Sequence, residues 1–241
     1  MTHPASLLEA LRADLRANVD AKHRDGCRSF FKETIRPMGV RSGELNRIIA
    51  KHWRDSKGLA SDELMALCDL LWDSGVFEEA TVACKWCARA LHTLGSASFD
   101  AFERWLETRV DNWAHCDDLA SHCVGGLLMR NPELAERTMS WLSSPNRWLR
   151  RAGAVCCVVP ARRGLYLHHV FRVADELLKD NDDLVLKGYG WLLKEASKPW
   201  PHEVLEFILA RRERKPRVAL RYAIELLPAA QRAQAMELTR K

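Results

Sequence analysis

Four residues that lie far apart in the chain carry side chains suited to binding positive charge and phosphate. They are two indoles, a carboxylate and a guanidinium: Trp113, Asp117, Arg151 and Trp191. An indole face attracts a cation within about 6 Å, an effect worth roughly 0.5–2 kcal/mol. A carboxylate can orient or deprotonate water and stabilise developing positive charge, and a guanidinium can donate two parallel hydrogen bonds to phosphate. Together these side chains predict a site.

A repeat of helix pairs would place these residues on successive helices. Apolar residues recur at spacings of three and four along almost every segment and strict alternation is nearly absent, so the sequence predicts an all-α fold. The second helices of successive predicted pairs begin at positions 76, 112, 147, 183 and 216, at intervals of 36, 35, 36 and 33 residues. This period indicates a HEAT-like repeat α-solenoid, whose stacked antiparallel helix pairs leave a concave, basic surface free to bind a long ligand.

The predicted repeats account for nearly the whole chain. N-terminal helices within 1–57 precede five repeat pairs, at about 61–93, 98–128, 132–160, 166–198 and 201–228. Pro132 and Pro201 stand at first helical positions, where proline is favoured. With 47% hydrophobic residues the 241-residue chain can bury a large core, and we expect a single HEAT-like repeat domain over 1–241.

The repeat register places the four residues on one stripe of the second helices. Counted from the start of its own helix, Trp113 is at offset 1 and Asp117 at offset 5, while Arg151 is at offset 4 and Trp191 at offset 8. These offsets share a face because three to four residues make one helical turn. The same stripe becomes more basic toward the C-terminus, where it carries Lys187, Arg217 and Arg221.

Each of the four residues also has a plainer explanation. A tryptophan on an amphipathic helix is more often part of a core, and we expect this of Trp53, Trp72, Trp86, Trp105 and Trp141. A carboxylate near a helix N-terminus commonly interacts with the helix dipole, and we expect the neighbouring Asp118 to lie on a solvated face. Arg151 follows Arg147 and Arg150, so a simple exposed basic cluster is its alternative.

The charge of the chain is uneven. Residues 1–120 hold 16 Lys and Arg against 19 Asp and Glu, and residues 121–241 hold 21 against 13, so the halves carry −3 and +8. A basic C-terminal half suits a polyanionic partner. The N-terminal segment alternates charged residues with leucine and lacks a long apolar run, so we expect neither a signal peptide nor a membrane anchor, and a cytoplasmic location.

The cysteines and histidines do not form a recognisable metal motif. Eight cysteines lie mostly within apolar helical stretches, which predicts buried free thiols. Cys84 and Cys87 form a CxxC in mid-helix with no second pair at zinc-finger spacing, so core packing is favoured. A Gly-rich phosphate loop is also missing, which disfavours nucleotide hydrolysis. We expect no metal and no organic cofactor.

Five segments in order resemble the AlkD-type DNA alkylation repair proteins, which are HEAT-like repeat DNA glycosylases. They are FFKETIRPMGV (30–40), DLLWDSGVFEEATVA (69–83), the W-x-x-x-D of residues 113–117, WLRRA (148–152) and GWLLKEASK (190–198). Two positions depart from the family pattern. Phe30 stands where a tyrosine is common, and Arg41 stands where a polar uncharged residue is common.

The resemblance implies a monofunctional DNA glycosylase that excises cationic N3- or N7-alkylated purines from duplex DNA in base excision repair. By the same resemblance Asp117 is the catalytic carboxylate, Trp113 and Trp191 flank the lesion, and Arg151 holds the backbone. The expected DNA contacts are Arg147, Arg150, Lys187, Lys194, Lys198, Arg217 and Arg221, with Phe30 and Arg41 at the N-terminal end.

The partner implied by the resemblance is double-stranded DNA with alkylated bases. We expect a monomer without an obligate protein partner or membrane contact, associated with the nucleoid when bound to DNA. Two alternatives stay open: a non-catalytic relative that binds DNA structures, and a HEAT-like scaffold for protein interactions. A steep loss of DNA affinity with salt would separate both DNA-binding hypotheses from the scaffold.

Overall fold

A computed structural model describes residues 4–211 and 216–237. The chain divides into two compact units, Met1–Asp118 and Leu119–Lys241, and each unit is described by itself. The described residues form helices and turns, with one isolated bridge between Val19 and Val40 and no strand. None of the described helices combines the length and the apolar character needed to cross a membrane.

The described part of the N-terminal unit, residues 4–118, forms seven helices. They are α1 (Pro4–Ala17), α2 (Ala21–Phe30), α3 (Ser42–Ser56), α4 (Ser61–Asp73), α5 (Phe77–Leu94), α6 (Ser98–Thr108) and α7 (Trp113–Asp118). Helix α1 packs on α3 and α4, and α5 packs on α3, α4 and α7. The unit therefore stacks the second helices of successive predicted pairs.

The α4–α5 hairpin shows why these segments are helical. Residues at spacings of three and four along α4 are buried: Leu64, Leu67, Cys68, Leu71 and Trp72. This stripe is what an amphipathic helix buries against a neighbour. At the start of α4 the Glu63 carboxylate accepts the backbone N–H of Ala60 at 2.9 Å, which satisfies a group that the helix leaves unpaired. The hairpin turn contains Gly75, whose φ of +65° favours glycine.

The C-terminal unit begins with a π-helical segment, Leu119–Val124, and contains the remaining helices. They are α8 (Gly125–Leu128), α9 (Leu134–Met139), α10 (Arg147–Val155), α11 (Val158–Arg162), α12 (Leu167–Glu176), α13 (Asp183–Ala196), α14 (Pro201–Ala210), α15 (Arg217–Ala223) and α16 (Ala229–Glu237). Short 3-10 turns, Ser140–Ser143 and Leu177–Lys179, extend α9 and α12.

The second helices of this unit pack side by side, α10 on α13 and α13 on α15. Gly190 allows the closest approach of the last two. A Cβ at this position would lie 2.7 Å from the carbonyl oxygen of Ala219 and 2.8 Å from Cβ of Tyr222. Because the contact includes backbone, only a separation of α13 from α15 could make room for it.

The prediction of an all-α, HEAT-like repeat fold is confirmed, and most predicted boundaries lie within a few residues of the observed helices. Helix α16 lies beyond the last predicted repeat pair. The single domain and the basic concave surface stay predictions. The tryptophan prediction is confirmed for four residues and wrong for Trp53, which is half-buried with the Arg89 guanidinium 6.0 Å from its ring centroid.

Replacing Gly190 with alanine tests the contact between α13 and α15. We expect Gly190→Ala to lower the free energy of unfolding by about 1–3 kcal/mol, because the added methyl overpacks a backbone contact. The matched control is Gly43→Ala in α3, where a Cβ would meet nothing within 4 Å. Urea unfolding should show a neutral or slightly stabilised control. Equal stability of both variants would contradict the close packing.

Candidate functional site

Helix α7 carries both Trp113 and Asp117, one turn apart. Both side chains are half-buried, so each retains access to solvent. The helix begins after Asn112, whose side-chain oxygen accepts the backbone N–H of His115 at 3.0 Å. This N-cap fixes the first turn. The structure therefore places the indole and the carboxylate on one face of a short, capped helix, as the register predicts.

An aromatic cluster holds the Trp113 ring. Phe31 stacks on Trp113 with ring centroids 5.2 Å apart and an interplanar angle of 22°, and Phe30 meets it edge-on at 6.0 Å. Phe31 also contacts Phe77 edge-on at 5.5 Å. Phe30, the last residue of α2, is 70% exposed. One face of Trp113 is thus covered by the protein, and an exposed aromatic ring stands beside it.

A buried carboxylate anchors the loop that follows these phenylalanines. Glu78 accepts hydrogen bonds from the backbone N–H groups of Met38, Gly39 and Val40 at 2.7–3.0 Å. Gly39 adopts a φ of +100°, which favours glycine. Nearby, the exposed Arg41 pairs with Asp20 at 2.7 Å. Arg41, predicted to contact DNA, is thus already engaged with a carboxylate.

His115 packs on the opposite side of α7. Its ring stacks on Phe77 at 4.4 Å and meets Trp72 edge-on at 5.5 Å. Its Nε2 lies 3.0 Å from the carbonyl oxygen of Phe77, and its Nδ1 lies 2.9 Å from the amide nitrogen of Asn112. Burial lowers the pKa of His115 from its usual value, although hydrogen bonding to Phe77 and nearby carboxylates oppose this. The imidazole is therefore neutral at pH 7.

Asp118 does not lie on a solvated face, so that prediction is wrong. Its carboxylate is half-buried and pairs with the Lys85 ammonium on α5 at 2.7 Å. The pair joins the C-terminal end of α7 to α5. His115 joins the beginning of α7 to α5 through its contacts with Phe77.

In the C-terminal unit, Arg151 is only 6% exposed and does not belong to an exposed basic cluster. Its guanidinium donates to the carbonyl oxygen of Leu184 on α13. A Cβ at Gly188 would lie 3.4 Å from Cγ of Arg151, which shows how closely the arginine packs on α13. Trp191 lies half-buried on the same helix. The unit thus brings Arg151 and the helix of Trp191 into contact.

Most of the cations predicted to contact DNA already lie in ion pairs. The pairs are Arg147–Asp182 at 2.9 Å, Arg150–Asp180 at 2.6 Å, Lys187–Asp183 at 3.1 Å, Lys194–Glu225 at 3.2 Å and Lys198–Glu195 at 2.6 Å. Arg217 and Arg221 are exposed on α15, and within the described ranges no carboxylate pairs with either. A phosphate would therefore have to displace carboxylates at most of these positions.

Glu195 is the most buried of these carboxylate partners. Burial raises its pKa, but hydrogen bonds from Lys198 and Arg162 outweigh this and hold the pKa below its usual range. The pairs at the surface contribute about 0–1 kcal/mol each, because water and salt screen them. They can therefore be exchanged for contacts with another anion at small cost.

The cysteines are free, and all but Cys27 are buried. Cys84 and Cys87 pack inside α5, so the prediction of core packing is confirmed. In residues 4–211 and 216–237, no group of three or more His, Cys, Asp or Glu side chains is arranged to hold a metal ion.

The fold and the α7 site define a helical-repeat protein with an aromatic and acidic surface. The chain belongs to the DNA alkylation repair enzyme family, whose model matches residues 11–227. A solved structure described as a predicted DNA alkylation repair enzyme from Enterococcus faecalis is similar, with a TM-score of 0.79 at 13% identity. The match covers 88% of this chain and 98% of that one. A search of curated proteins finds no match.

The surroundings of α7 include residues that the sequence did not identify as part of the site. Phe31, Phe77, Asn112 and His115 hold the helix or its indole through the contacts above. The motif FFKETIRPMGV contains Phe31, but nothing in the sequence shows which of two adjacent phenylalanines covers the tryptophan. The roles predicted for Asp117, Arg151 and Trp191 stay predictions.

Replacing either phenylalanine with leucine tests the aromatic cluster. We expect Phe31→Leu to lower the free energy of unfolding by about 1–2 kcal/mol, because its ring contacts both Trp113 and Phe77. The matched control is Phe30→Leu, whose ring is mostly exposed and should cost less than about 0.5 kcal/mol. Urea denaturation measures both. A larger loss for Phe30→Leu would contradict the assignment of Phe31 as the covering ring.

Proposed function

We propose that the protein is a monofunctional DNA glycosylase that removes cationic N3- or N7-alkylated purines from duplex DNA. Membership of the DNA alkylation repair enzyme family supports this proposal. The proposal depends on one observation. Helix α7 carries a half-buried carboxylate, Asp117, one turn from Trp113, whose indole is held by the aromatic cluster. Such a surface suits a reaction that passes through a cationic sugar.

Excision of a cationic purine requires few catalytic groups. Alkylation at N3 or N7 gives the purine a positive charge, so cleavage of the glycosidic bond releases a neutral base without a strong general acid. Positive charge then develops on the deoxyribose. The Asp117 carboxylate stabilises that charge and orients or deprotonates the attacking water, which adds to the sugar carbon.

The aromatic side chains select for charge. The part of Trp113 that Phe31 leaves uncovered attracts the cationic sugar or base. Phe30 offers a second ring face to DNA, and the exposed cations Arg28 and Lys32 lie close to it in sequence. An exposed aromatic among basic residues is suited to stacking on bases beside a charged backbone. The replacement of the common tyrosine by Phe30 keeps this face.

The C-terminal unit supplies the backbone contacts in this proposal. Trp191 is the second indole at the lesion, and Arg151 holds the flanking phosphates by exchanging its contact with the Leu184 carbonyl on α13. The ion-paired cations Arg147, Arg150, Lys187, Lys194 and Lys198 and the exposed Arg217 and Arg221 form the phosphate track of this proposal. The protein acts as a monomer, and neither a metal nor an organic cofactor takes part.

Replacing Asp117 with asparagine tests the catalytic assignment. We expect Asp117→Asn to slow release of N7-methylguanine from a duplex by about 100-fold or more, because a positioned carboxylate is lost. Chromatography of the free base measures the rate above spontaneous release. Duplexes with uracil or hypoxanthine should give little product, since these bases leave without a positive charge.

The matched control is Asp118→Asn on the same helix. It removes a charge and the ion pair with Lys85 but leaves Asp117 in place, so excision should persist within about threefold. Equal rates for the wild type and Asp117→Asn would falsify the catalytic role. DNA binding without release by the wild type would instead indicate a non-catalytic DNA-binding protein, and absence of both would indicate a scaffold.

Removing a competing carboxylate tests the phosphate track. Asp182→Asn frees Arg147 while the asparagine can still accept from the backbone of Leu184, as Asp182 does at 2.9 Å. We expect duplex affinity to rise about threefold or more at low salt, and the slope of log affinity against log salt to steepen by about 1.

The control for net charge is Glu136→Gln, which frees Arg172 between α9 and α12, away from the predicted track. It changes the charge of the protein by the same amount. Fluorescence anisotropy across a salt series measures the affinity of this control for duplex DNA. Its slope of log affinity against log salt should equal that of the wild type. Equal effects of the two substitutions would show that net charge, rather than Arg147, governs the affinity.

A further inference from the structure

His115 lies between Trp113 and Asp117 in sequence but is directed to the other side of α7. It is 5% exposed, whereas the two flanking side chains are half-buried. Two residues along an α-helix correspond to roughly 200° of rotation, so this difference follows from the helical geometry. His115 therefore faces the protein interior while its neighbours face the proposed substrate.

The hydrogen bonds of His115 determine its tautomer. The Phe77 carbonyl can only accept, so Nε2 carries the proton and donates at 3.0 Å. The Asn112 oxygen accepts from the His115 backbone, and the Asn112 amide donates to Asp111 at 2.8 Å. The second hydrogen of that amide is directed to Nδ1 at 2.9 Å, which must be an acceptor.

Protonation would break this arrangement. A proton on Nδ1 would face the amide hydrogen of Asn112, so two donors would oppose each other, and a charge would be buried. Asp111, Asp118 and Glu78 face the ring and partly favour the charged form. Arg36 and Arg109 line the same small cavity as the imidazole. Burial is the largest influence, so the neutral form is favoured.

We infer that His115 is a positioning residue: its neutral ring, clamped between Asn112 and Phe77, fixes α7 so that Trp113 and Asp117 present their side chains to substrate. Protonation loosens the first turn of α7 and displaces both. This inference rests on the proposed function for its effect on excision. The clamp itself involves only protein contacts and can be tested without DNA.

The direction of the pH effect follows from linkage. An unfolded histidine has a pKa of about 6.5, and the pKa of folded His115 is lower. Between these two values the unfolded chain binds more protons than the folded one. The contribution of the neutral clamp to stability is therefore complete above about pH 6.5 and is lost as the pH falls toward the folded pKa.

The test compares His115→Gln with the wild type between pH 7.5 and 5. Glutamine supplies an amide NH₂ donor group and a carbonyl acceptor but does not titrate in this range. Wild-type unfolding free energy should fall across the range, and excision should fall by up to about tenfold per pH unit below the folded pKa. His115→Gln should be less stable at pH 7.5, because the stack on Phe77 is lost, but both its acid limbs should be flatter.

A second variant removes the penalty on protonation. In Asn112→Asp the new carboxylate can accept from a protonated Nδ1, which raises the folded pKa of His115 toward its unfolded value, so the acid limbs of stability and excision should flatten. The matched control is His52→Gln, which alters another buried histidine in contact with Asp14 on α1. It should leave the acid limb of excision unchanged.

The outcomes separate the inference from the proposed function. If the stability limb flattens in His115→Gln but no variant releases base at any pH, the clamp stands and the proposed function fails. If His115→Gln retains the wild-type acid limb in either stability or excision, the inference is overturned. An acid limb of excision that disappears in His52→Gln would also overturn it, because the titrating group would then lie elsewhere.

Discussion

The hydrogen bonds of a single buried carboxylate position the aromatic part of the site. Glu78 is 3% exposed and accepts three consecutive backbone N–H groups, from Met38 to Val40. A charge can remain in such a place only if hydrogen bonds replace its hydration. Loss of the acceptor would leave three donors unpaired, at about 1–3 kcal/mol each. The loop is therefore held on α5, and Phe31 ahead of it stays against Trp113.

Helix α7 depends on α5 in a second way. Helix α7 runs without a break into the π-helical segment Leu119–Val124, and contacts within its own unit fix its first turns. The Asn112 cap and His115 secure its first turn, and the partly exposed Lys85–Asp118 pair adds about 0–1 kcal/mol at its other end. Both attachments point away from the face that carries Trp113 and Asp117. The proposed catalytic face can thus stay accessible while the helix is fixed from behind.

Much of the fold could be predicted because the period of 33 to 36 residues is expressed in apolar spacing, which local sequence reveals. The register also identified Trp113 and Asp117 as neighbours on one face, because both belong to a single helix. The partners of α7 could not be predicted in this way. Phe31 and Phe77 reach Trp113 and His115 from other elements, and such contacts depend on how loops direct side chains. The burial of Arg151 likewise reflects packing against Leu184 and Gly188 on the next second helix.

Three of the five ion pairs of the predicted phosphate track, those of Arg147, Arg150 and Lys194, span about one repeat. Arg147 and Asp182 are 35 residues apart, and Lys194 and Glu225 are 31 apart, so each cation meets a carboxylate about one repeat later. A cation in an ion pair contributes less binding free energy to a complex with undamaged DNA than an unpaired cation does. The reason is that each new phosphate contact requires an ion pair within the protein to break. In the proposed function, weak attraction to undamaged DNA would mean that damaged and undamaged sites are distinguished by other contacts. These are the contacts of a cationic lesion with the indole faces and the carboxylate. In the proposed function this division favours rapid release from normal duplex and longer residence at a lesion, where the additional contacts form.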